Sequence, residues 1–210
     1  MKTFTVIAIA LMMSALSVSA QSPSSKVFLS ISHEIKNYDS WKAVYDKLDA
    51  QRKEAGILEL FIKKDMNNAN SITVFAEVSN LEKAKVFMSS NALKEAMKDA
   101  GVTSVPSIVF YKSTSESGTI NKSALVITIT HSVKGFSGWQ EVYESHEQLR
   151  KQDGIQDWLV LQSISDENLV TVIGFMNSAA SFKKFTSNPD LKTTMAKAGV
   201  RSKPEIKILF

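Results

Sequence analysis

The alternation of apolar and polar positions occurs in two matching strand segments of the chain. Apolar residues alternate with small polar ones over Val27–Ile35 and again over Leu125–Val133. Successive side chains on a strand point to opposite faces, so each segment predicts a strand with one apolar face. That apolar face ends in a histidine, His33 in the first segment and His131 in the second. The opposite face carries small hydroxyl side chains: Ser30, Ser32, Thr128 and Thr130.

A helical pattern follows each of these strands. Apolar and aromatic residues recur at helical spacing from about Ser40 to Ala55, which predicts one helix in each half of the chain. Gly56 and Gly154 are expected to end these helices, because glycine adopts the left-handed conformation easily. The residues that share the stripe are Trp41, Val44, Tyr45, Leu48 and Arg52, then Trp139, Val142, Tyr143, His146 and Arg150.

Each half then continues with a hairpin, a second helix and a last strand. In the first half the hairpin strands are predicted near Ile57–Lys64 and Ile72–Val78, with a polar turn over Asp65–Asn70. The second helix begins near Leu81 and is interrupted at Ser89–Asn91. The resulting order β-α-β-β-α-β predicts a ferredoxin-like module.

The two halves align with each other without a gap at a spacing of 98 residues. About 25 of some 86 aligned positions are identical, which indicates an internal duplication. The modules span 26–112 and 124–210, and the polar segment 113–123 is predicted to be a flexible linker. Helices on one face of each sheet leave the other face bare. The predicted fold class is therefore α+β, with two tandem modules that pair their sheets into an intramolecular α/β barrel.

The N-terminus has the pattern of a secretory signal peptide. Lys2 precedes an apolar run from Phe4 to about Val18, and small residues up to Ala20 follow. We expect cleavage after Ala20, which makes residues 1–20 a signal peptide and the protein periplasmic or secreted. A retained anchor is the alternative. No later segment is apolar enough to cross a bilayer, so no membrane association is expected after cleavage.

Composition removes several functional classes. The chain has no cysteine, which excludes disulfides, thiolate metal sites and a cysteine nucleophile. A net charge of +4 is too small and dispersed to predict nucleic-acid binding. The three histidines lack metal-ligand spacing, and no phosphate-binding or dinucleotide motif is present. We therefore predict no metal and no cofactor, and haem bound by one histidine is the alternative. The expected partner is a small organic molecule, and the expected state is a monomer that resembles a dimer, or a higher homo-oligomer.

A set of motif residues recurs in both halves and resembles the dimeric α/β-barrel superfamily, in particular antibiotic-biosynthesis-monooxygenase-like proteins. The motif residues are His33, Tyr38, Trp41, Arg52, Gly56, Leu93, Met97, Gly101 and Pro106, then His131, Phe136, Trp139, Arg150, Gly154, Leu191, Met195, Gly199 and Pro204. The resemblance implies the fold over nearly all of the chain beyond the signal peptide. Members of this superfamily include cofactor-free oxygenases, haem-handling enzymes, isomerases and proteins without known activity. Most of them pair two separate chains.

Each candidate site residue has a functional and a structural interpretation. His33 and His131 are candidate general bases, or else buried histidines hydrogen-bonded to a neighbouring helix. The aromatic candidates line a pocket or belong to the core between helix and sheet: Trp41, Trp139, Tyr45 and Tyr143. Arg52 and Arg150 hold a ligand carboxylate, or else cap a helix or form an ion pair. Ser30, Ser32, Thr128 and Thr130 are expected to line a cavity between the modules.

Three functional hypotheses follow. The first is an exported protein that binds a small organic molecule in a pocket between the two modules. The second is a cofactor-independent monooxygenase or isomerase that uses a strand-end histidine. The third is a structural or interaction protein whose barrel interior is filled by side chains. The second requires a histidine that faces a cavity, and the third requires bulky residues inside the barrel.

Overall fold

The structure is a computed structural model that describes residues 25–210. The predicted signal peptide lies outside the described residues. Within 25–210, no helix is long and apolar enough to cross a membrane.

Eight strands and eight helices make up the described chain, and the second half repeats the element order of the first. The elements of the first half are β1 (Val27–Glu34), α1 (Tyr38–Lys47), α2 (Asp49–Glu54), β2 (Ile57–Asp65), β3 (Asn68–Val78), α3 (Leu81–Ser89), α4 (Asn91–Asp99) and β4 (Ser107–Glu116). Those of the second half are β5 (Leu125–Ser132), α5 (Phe136–Ser145), α6 (Glu147–Gln152), β6 (Ile155–Ser163), β7 (Leu169–Met176), α7 (Ala179–Thr186), α8 (Asp190–Lys197) and β8 (Glu205–Leu209). The fold is α+β and ferredoxin-like, as predicted.

The eight strands are antiparallel and form one closed ring in the order β1-β3-β2-β8-β5-β7-β6-β4. Within each half, the first strand lies between the third and the fourth, so that β1 pairs with β3 and β4, and β5 pairs with β7 and β8. Two strand pairings join the halves: β4 with β6, where Tyr111 faces Ser163, and β2 with β8, where Asp65 faces Leu209.

The two faces of the ring bury different kinds of core. The inner face holds an aromatic and aliphatic cluster formed by both halves, in which Phe75 stacks on Phe28 and Phe61 and meets the edge of Trp158. The outer face is covered by the helices, with Leu29, Ile31 and Trp41 among the buried residues of the first half. Each strand therefore contributes to both cores, as its alternating pattern indicates.

Three boundaries differ from the sequence prediction. The single helix predicted from Ser40 to Ala55 is two helices, because the chain turns at Leu48, whose N–H donates to Tyr45 O instead of continuing the helical pattern. The hairpin turn is shorter than predicted, since β3 begins at Asn68. Strand β4 extends to Glu116, so the first residues of the predicted linker pair with β6. Gly56 and Gly154 have φ values of 74° and 78° and follow the helices they were predicted to end.

Candidate functional site

A cavity of about 220 Å³ lies between the sheet and the helices of the second half. We call it the second chamber. Apolar side chains from the sheet, from α5 and from α7–α8 form most of its wall, including Ile129, Val172, Val142, Phe182, Phe185 and Met195. His131, Trp139, Tyr143 and Arg150 also line it. The histidine at the end of β5 and the aromatic residues of α5 therefore line the same cavity.

His131 is buried in this wall and is only 6% exposed. Within residues 25–210, neither Nδ1 nor Nε2 of its imidazole has a hydrogen-bond partner. The imidazole meets the edge of Trp139, with the ring centroids 5.5 Å apart. Burial lowers the pKa of His131 to about 4, because the charged form loses its hydration. At neutral pH the imidazole is uncharged and has a free lone pair.

Arg150, Asp157 and Tyr143 form a buried hydrogen-bonded group beside the chamber. Arg150 Nη2 lies 2.8 Å from Asp157 Oδ2, and its Nε lies 3.0 Å from both carboxylate oxygens. Tyr143 donates from its hydroxyl to Asp157 Oδ1 at 2.9 Å, and the guanidinium lies 3.6 Å from the centroid of the tyrosine ring. Burial raises the pKa of Tyr143. Of the two predicted interpretations, Arg150 therefore has the structural one, an ion pair. Its charge is already compensated within the protein.

A β-bulge brings Asp157 to this position. The pairing of β6 with β7 shifts register between Asp157 and Leu159. Asp157 therefore faces the helices, whereas Trp158 and Leu159 belong to the cluster inside the ring. Gly174 lies opposite the bulge, where a Cβ atom would come within 2.9 Å of Gln156 O.

The rim of the second chamber carries a second histidine. His146 Nδ1 lies 2.8 Å from Val142 O and donates to it. Its Nε2 lies 3.4 Å from the Thr194 hydroxyl of α8. The contact joins the α5–α6 turn to α8.

The corresponding cavity of the first half, which we call the first chamber, is only about 50 Å³. It is lined by the equivalent residues His33, Trp41, Tyr45 and Arg52. His33 is 5% exposed, and neither ring nitrogen has a hydrogen-bond partner in the part of the chain that the structure describes. Burial lowers its pKa to about 4. Arg52 lies over the Tyr45 ring, donates to Tyr45 O and has Asp49 Oδ1 3.5 Å from its Nη2.

A third cavity of about 180 Å³ lies inside the ring of strands. The four predicted hydroxyl residues Ser30, Ser32, Thr128 and Thr130 line it. Ser32 and Thr130 hydrogen-bond to Thr73 and Thr171 at 2.9 and 2.8 Å. The rest of the inner face is filled by the cluster around Phe75.

The predicted site residues therefore fall into two groups that do not meet. The histidines, tryptophans, tyrosines and arginines face the helices, and the serines and threonines face the ring interior. The helix hydrogen bond that was the structural interpretation of His33 and His131 is absent in the described structure. Bulky side chains, which the third hypothesis requires, occupy the inner face around Phe75, beside the cavity of about 180 Å³.

Several residues at the second chamber were missed in the sequence. Asp157 has an acidic counterpart, Glu59, at the same repeat position, and this shared acidity was a usable signal. Phe182 and Thr194 replace Ala84 and Ala96 of the first half, so no recurrence marked them. No group of three or more His, Asp and Glu side chains that could hold a metal ion occurs within residues 25–210.

Fold and chamber together define a ferredoxin-like α+β protein with a helix-to-sheet cavity in each half, and solved structures with this fold are known. An anthrone oxidase-like protein matches with a TM-score of 0.66 and 10% identity, over 89% of this chain and 91% of that chain. A ferredoxin-fold protein from Listeria monocytogenes, related to antibiotic biosynthesis monooxygenases, matches with a TM-score of 0.53 and 11% identity, over 89% of this chain and 95% of that one.

A monooxygenase-like protein from Listeria innocua also matches, with a TM-score of 0.53 and 10% identity, over 89% of this chain and 95% of that one. These likenesses show the fold and agree with the resemblance to the dimeric α/β-barrel superfamily. No protein-family model matches the sequence, and no curated protein matches it.

Proposed function

We propose that the protein binds a small, mainly apolar organic molecule in the second chamber, with a polar group of the ligand against His131. The observation that carries this proposal is the pair of unpartnered nitrogens of a buried imidazole on the wall of a 220 Å³ cavity. Buried polar groups are nearly always hydrogen-bonded, so an orphaned imidazole favours a partner supplied by a ligand. The apolar wall would bury the rest of the molecule.

We further propose that His131 accepts a proton from an acidic carbon of this ligand in a cofactor-independent oxygenation. Burial keeps the imidazole neutral, so its lone pair is available at neutral pH. The carbanion that forms beside it would stabilise the imidazolium, because opposite charges attract strongly where water is excluded. The names of the structural neighbours, anthrone oxidase-like and monooxygenase-like, support this alternative over a purely binding function.

Anthrone, taken from the name of one neighbour, is a suitable probe of this chemistry. His131 would remove a proton from the methylene carbon, and the carbanion would reduce O₂ as a new C–O bond forms. Loss of water then gives anthraquinone. One anthrone and one O₂ yield one anthraquinone and one water, so O₂ is the only oxidant required.

The experiment compares wild type, His131→Ala and His33→Ala for O₂ consumption and anthraquinone formation, and for anthrone binding without O₂. We expect His131→Ala to lose turnover, while His33→Ala serves as the matched control and retains it. Binding without turnover in wild type would support the binding function alone. Equal turnover in wild type and His131→Ala would refute the role of His131, and absence of any bound molecule, also in native mass spectra of protein from its own host, would refute the chamber.

The relation of the two halves is part of the same proposal. We propose that they are tandem modules, 26–112 and 124–210, whose sheets close into one intramolecular α/β barrel. The identical element order and the two inter-half strand pairings support this. Such a chain would resemble a dimer in one polypeptide and would be a monomer or a homo-oligomer of that unit. Light scattering would distinguish a particle of one chain from its multiples.

Export is proposed from the N-terminal sequence alone. The basic start, apolar run and small residues before Gln21 support cleavage after Ala20 and a periplasmic or secreted location. The intact mass of the protein from its own host tests this. A mature chain that begins at Gln21 is expected, and a chain that retains residues 1–20 would contradict cleavage.

A further inference from the structure

The two chambers differ in size although the same four residue types recur in both. Each has the His, Trp, Tyr and Arg set, yet the volumes are about 50 and 220 Å³. An apolar cavity of about 150 Å³ accommodates a benzene molecule. The second chamber exceeds this size and the first falls well below it, so only the second has room for an aromatic ring.

The first difference that explains the volumes is Met88 against Thr186, which occupy the same repeat position. Met88 is 8% exposed, lines the first chamber and packs with the buried residues of the first half. Thr186 is exposed, and its hydroxyl lies 3.0 Å from Phe182 O and 3.2 Å from Lys183 O of its own helix. The long apolar side chain of Met88 therefore fills the first chamber. At the same place in the second chamber, the side chain of Thr186 is short and hydrogen-bonded to its own helix.

The second difference is Ala84 against Phe182. Ala84 is completely buried, so α3 packs closely on the sheet. Phe182 places a ring between α7 and a cluster of Ile127, Ile155 and Met176. The separation of packed elements depends on the side chains at the contact. In agreement, α3 and α4 bury Ala84, Met88 and Leu93, whereas α7 and α8 have no buried residue.

We propose that Phe182 and Thr186 determine which half binds a ligand. Phe182 holds α7 away from the sheet, and Thr186 leaves the space between them empty. Met88 and Ala84 keep the equivalent space of the first half closed over His33. The chain thus has one open chamber for an aromatic-sized apolar ligand and one closed copy of it. This inference rests on the proposed function in one respect, namely that the open chamber is the ligand site.

The binding test uses 1-naphthol, a bicyclic aromatic with one hydroxyl group, and isothermal titration calorimetry. Wild type should bind one molecule per chain. Thr186→Met should weaken binding about tenfold or more, because the longer side chain occupies ligand volume. The double variant Ala84→Phe/Met88→Thr should bind two molecules per chain. Lys183→Met and Val86→Thr, at exposed positions of the same two helices, are the matched controls and should behave as wild type.

A second readout does not depend on the hydroxyl group of 1-naphthol. It uses benzene, which an apolar cavity of about 150 Å³ accommodates, and NMR of the imidazole resonances. In wild type, benzene should shift the resonances of His131 and leave those of His33 in place. In Ala84→Phe/Met88→Thr, benzene should shift the resonances of both histidines. Met88→Thr alone gives the same test if circular dichroism shows the double variant to be unfolded.

The outcomes separate this inference from the proposed function. Wild-type affinity in Thr186→Met together with His33 resonances that benzene leaves in place in the opened variants would overturn the roles of these residues. If wild type binds no 1-naphthol, the proposed ligand site fails instead, and the benzene titration of the opened variants still decides whether Met88 closes the first chamber.

Discussion

The imidazole of His131 meets the edge of the Trp139 ring at a centroid distance of 5.5 Å, and neither of its nitrogens has a polar partner among the described residues 25–210. His33 and Trp41 repeat this relationship at 5.7 Å in the first half. Burial of a histidine without a hydrogen-bond partner costs free energy of folding, unless a ligand supplies the partner. The size of this cost depends on pH, because burial opposes protonation. This shared cost gives the first prediction.

Stability should fall as the pH is lowered from about 7 to 5. Each folded-state pKa, about 4, lies below the ordinary value of 6.5, so the unfolded chain takes up protons first. The stabilising contribution of each neutral imidazole is present at pH values above the pKa of the unfolded chain. It is lost as the pH falls towards the pKa of the folded state. We expect a loss of about 2 kcal/mol for each histidine over this range, measured by denaturant unfolding.

The matched variants are His33→Phe and His131→Phe, which keep an aromatic ring and remove the titrating group. Each should remove about half of the pH dependence, and the double variant nearly all of it. A pH dependence in the double variant equal to that of wild type would show that other groups cause it.

Loss of the Asp157 carboxylate should destabilise the protein. Asp157→Asn removes the charge that compensates buried Arg150, and breaking such a pair costs about 3 kcal/mol. Glu59→Gln is the control, because Glu59 occupies the equivalent position but is exposed. Urea unfolding measures both. Equal, small effects of the two variants would contradict the structural role assigned to the Arg150–Asp157 pair.

Two glycines should respond to alanine in opposite directions. Gly138 lies in α5, where an added Cβ atom would have no neighbour within 4 Å, so Gly138→Ala should stabilise by about 0.5–1 kcal/mol through helix propensity. At Gly174 the new Cβ would come within 2.9 Å of Gln156 O at the β6 bulge, so Gly174→Ala should destabilise. Thermal unfolding gives the sign of each, and a stabilising Gly174→Ala would mean that the bulge yields freely.

The protection of the segment between the halves against local opening should depend on Lys63. This buried lysine donates from Nζ to Ala124 O at 3.0 Å and to Lys122 O at 3.2 Å, and burial lowers its pKa. Lys63→Met removes both bonds, so amide hydrogen exchange over residues 117–124 should become faster. Lys112→Met, at an exposed position of β4, is the control. Unchanged exchange in Lys63→Met would show that these bonds do not hold the segment.

Much of the fold follows from local pattern. The alternation in β1 and β5 predicts which side chains share a face, and it correctly separates His33 and His131 from the serines and threonines. The cavity between the sheets was expected to be the site, and the four hydroxyl residues line it, but a cluster of Phe28, Phe61, Phe75 and Trp158 occupies the inner face beside it. Phe61 and Trp158 lie at the bulges of β2 and β6, and a bulge leaves no periodic signal.

The size of the helix-to-sheet chambers was beyond sequence reasoning for a different reason. Trp139, Tyr143 and Arg150 recur in both halves, and recurrence predicts equal chambers. The inequality comes from Phe182 and Thr186, which set the distance and the filling between α7 and the sheet. Such packing depends on side-chain volumes summed across elements that are far apart in the sequence.

The most direct test of the ligand site is an NMR titration of wild-type protein with 1-naphthol that follows the imidazole resonances of His131 and His33. We expect the His131 resonances to shift and to saturate at one equivalent, while those of His33 stay in place. Equal shifts at both histidines, or movement of neither while 1-naphthol binds elsewhere, would contradict a single ligand chamber at His131.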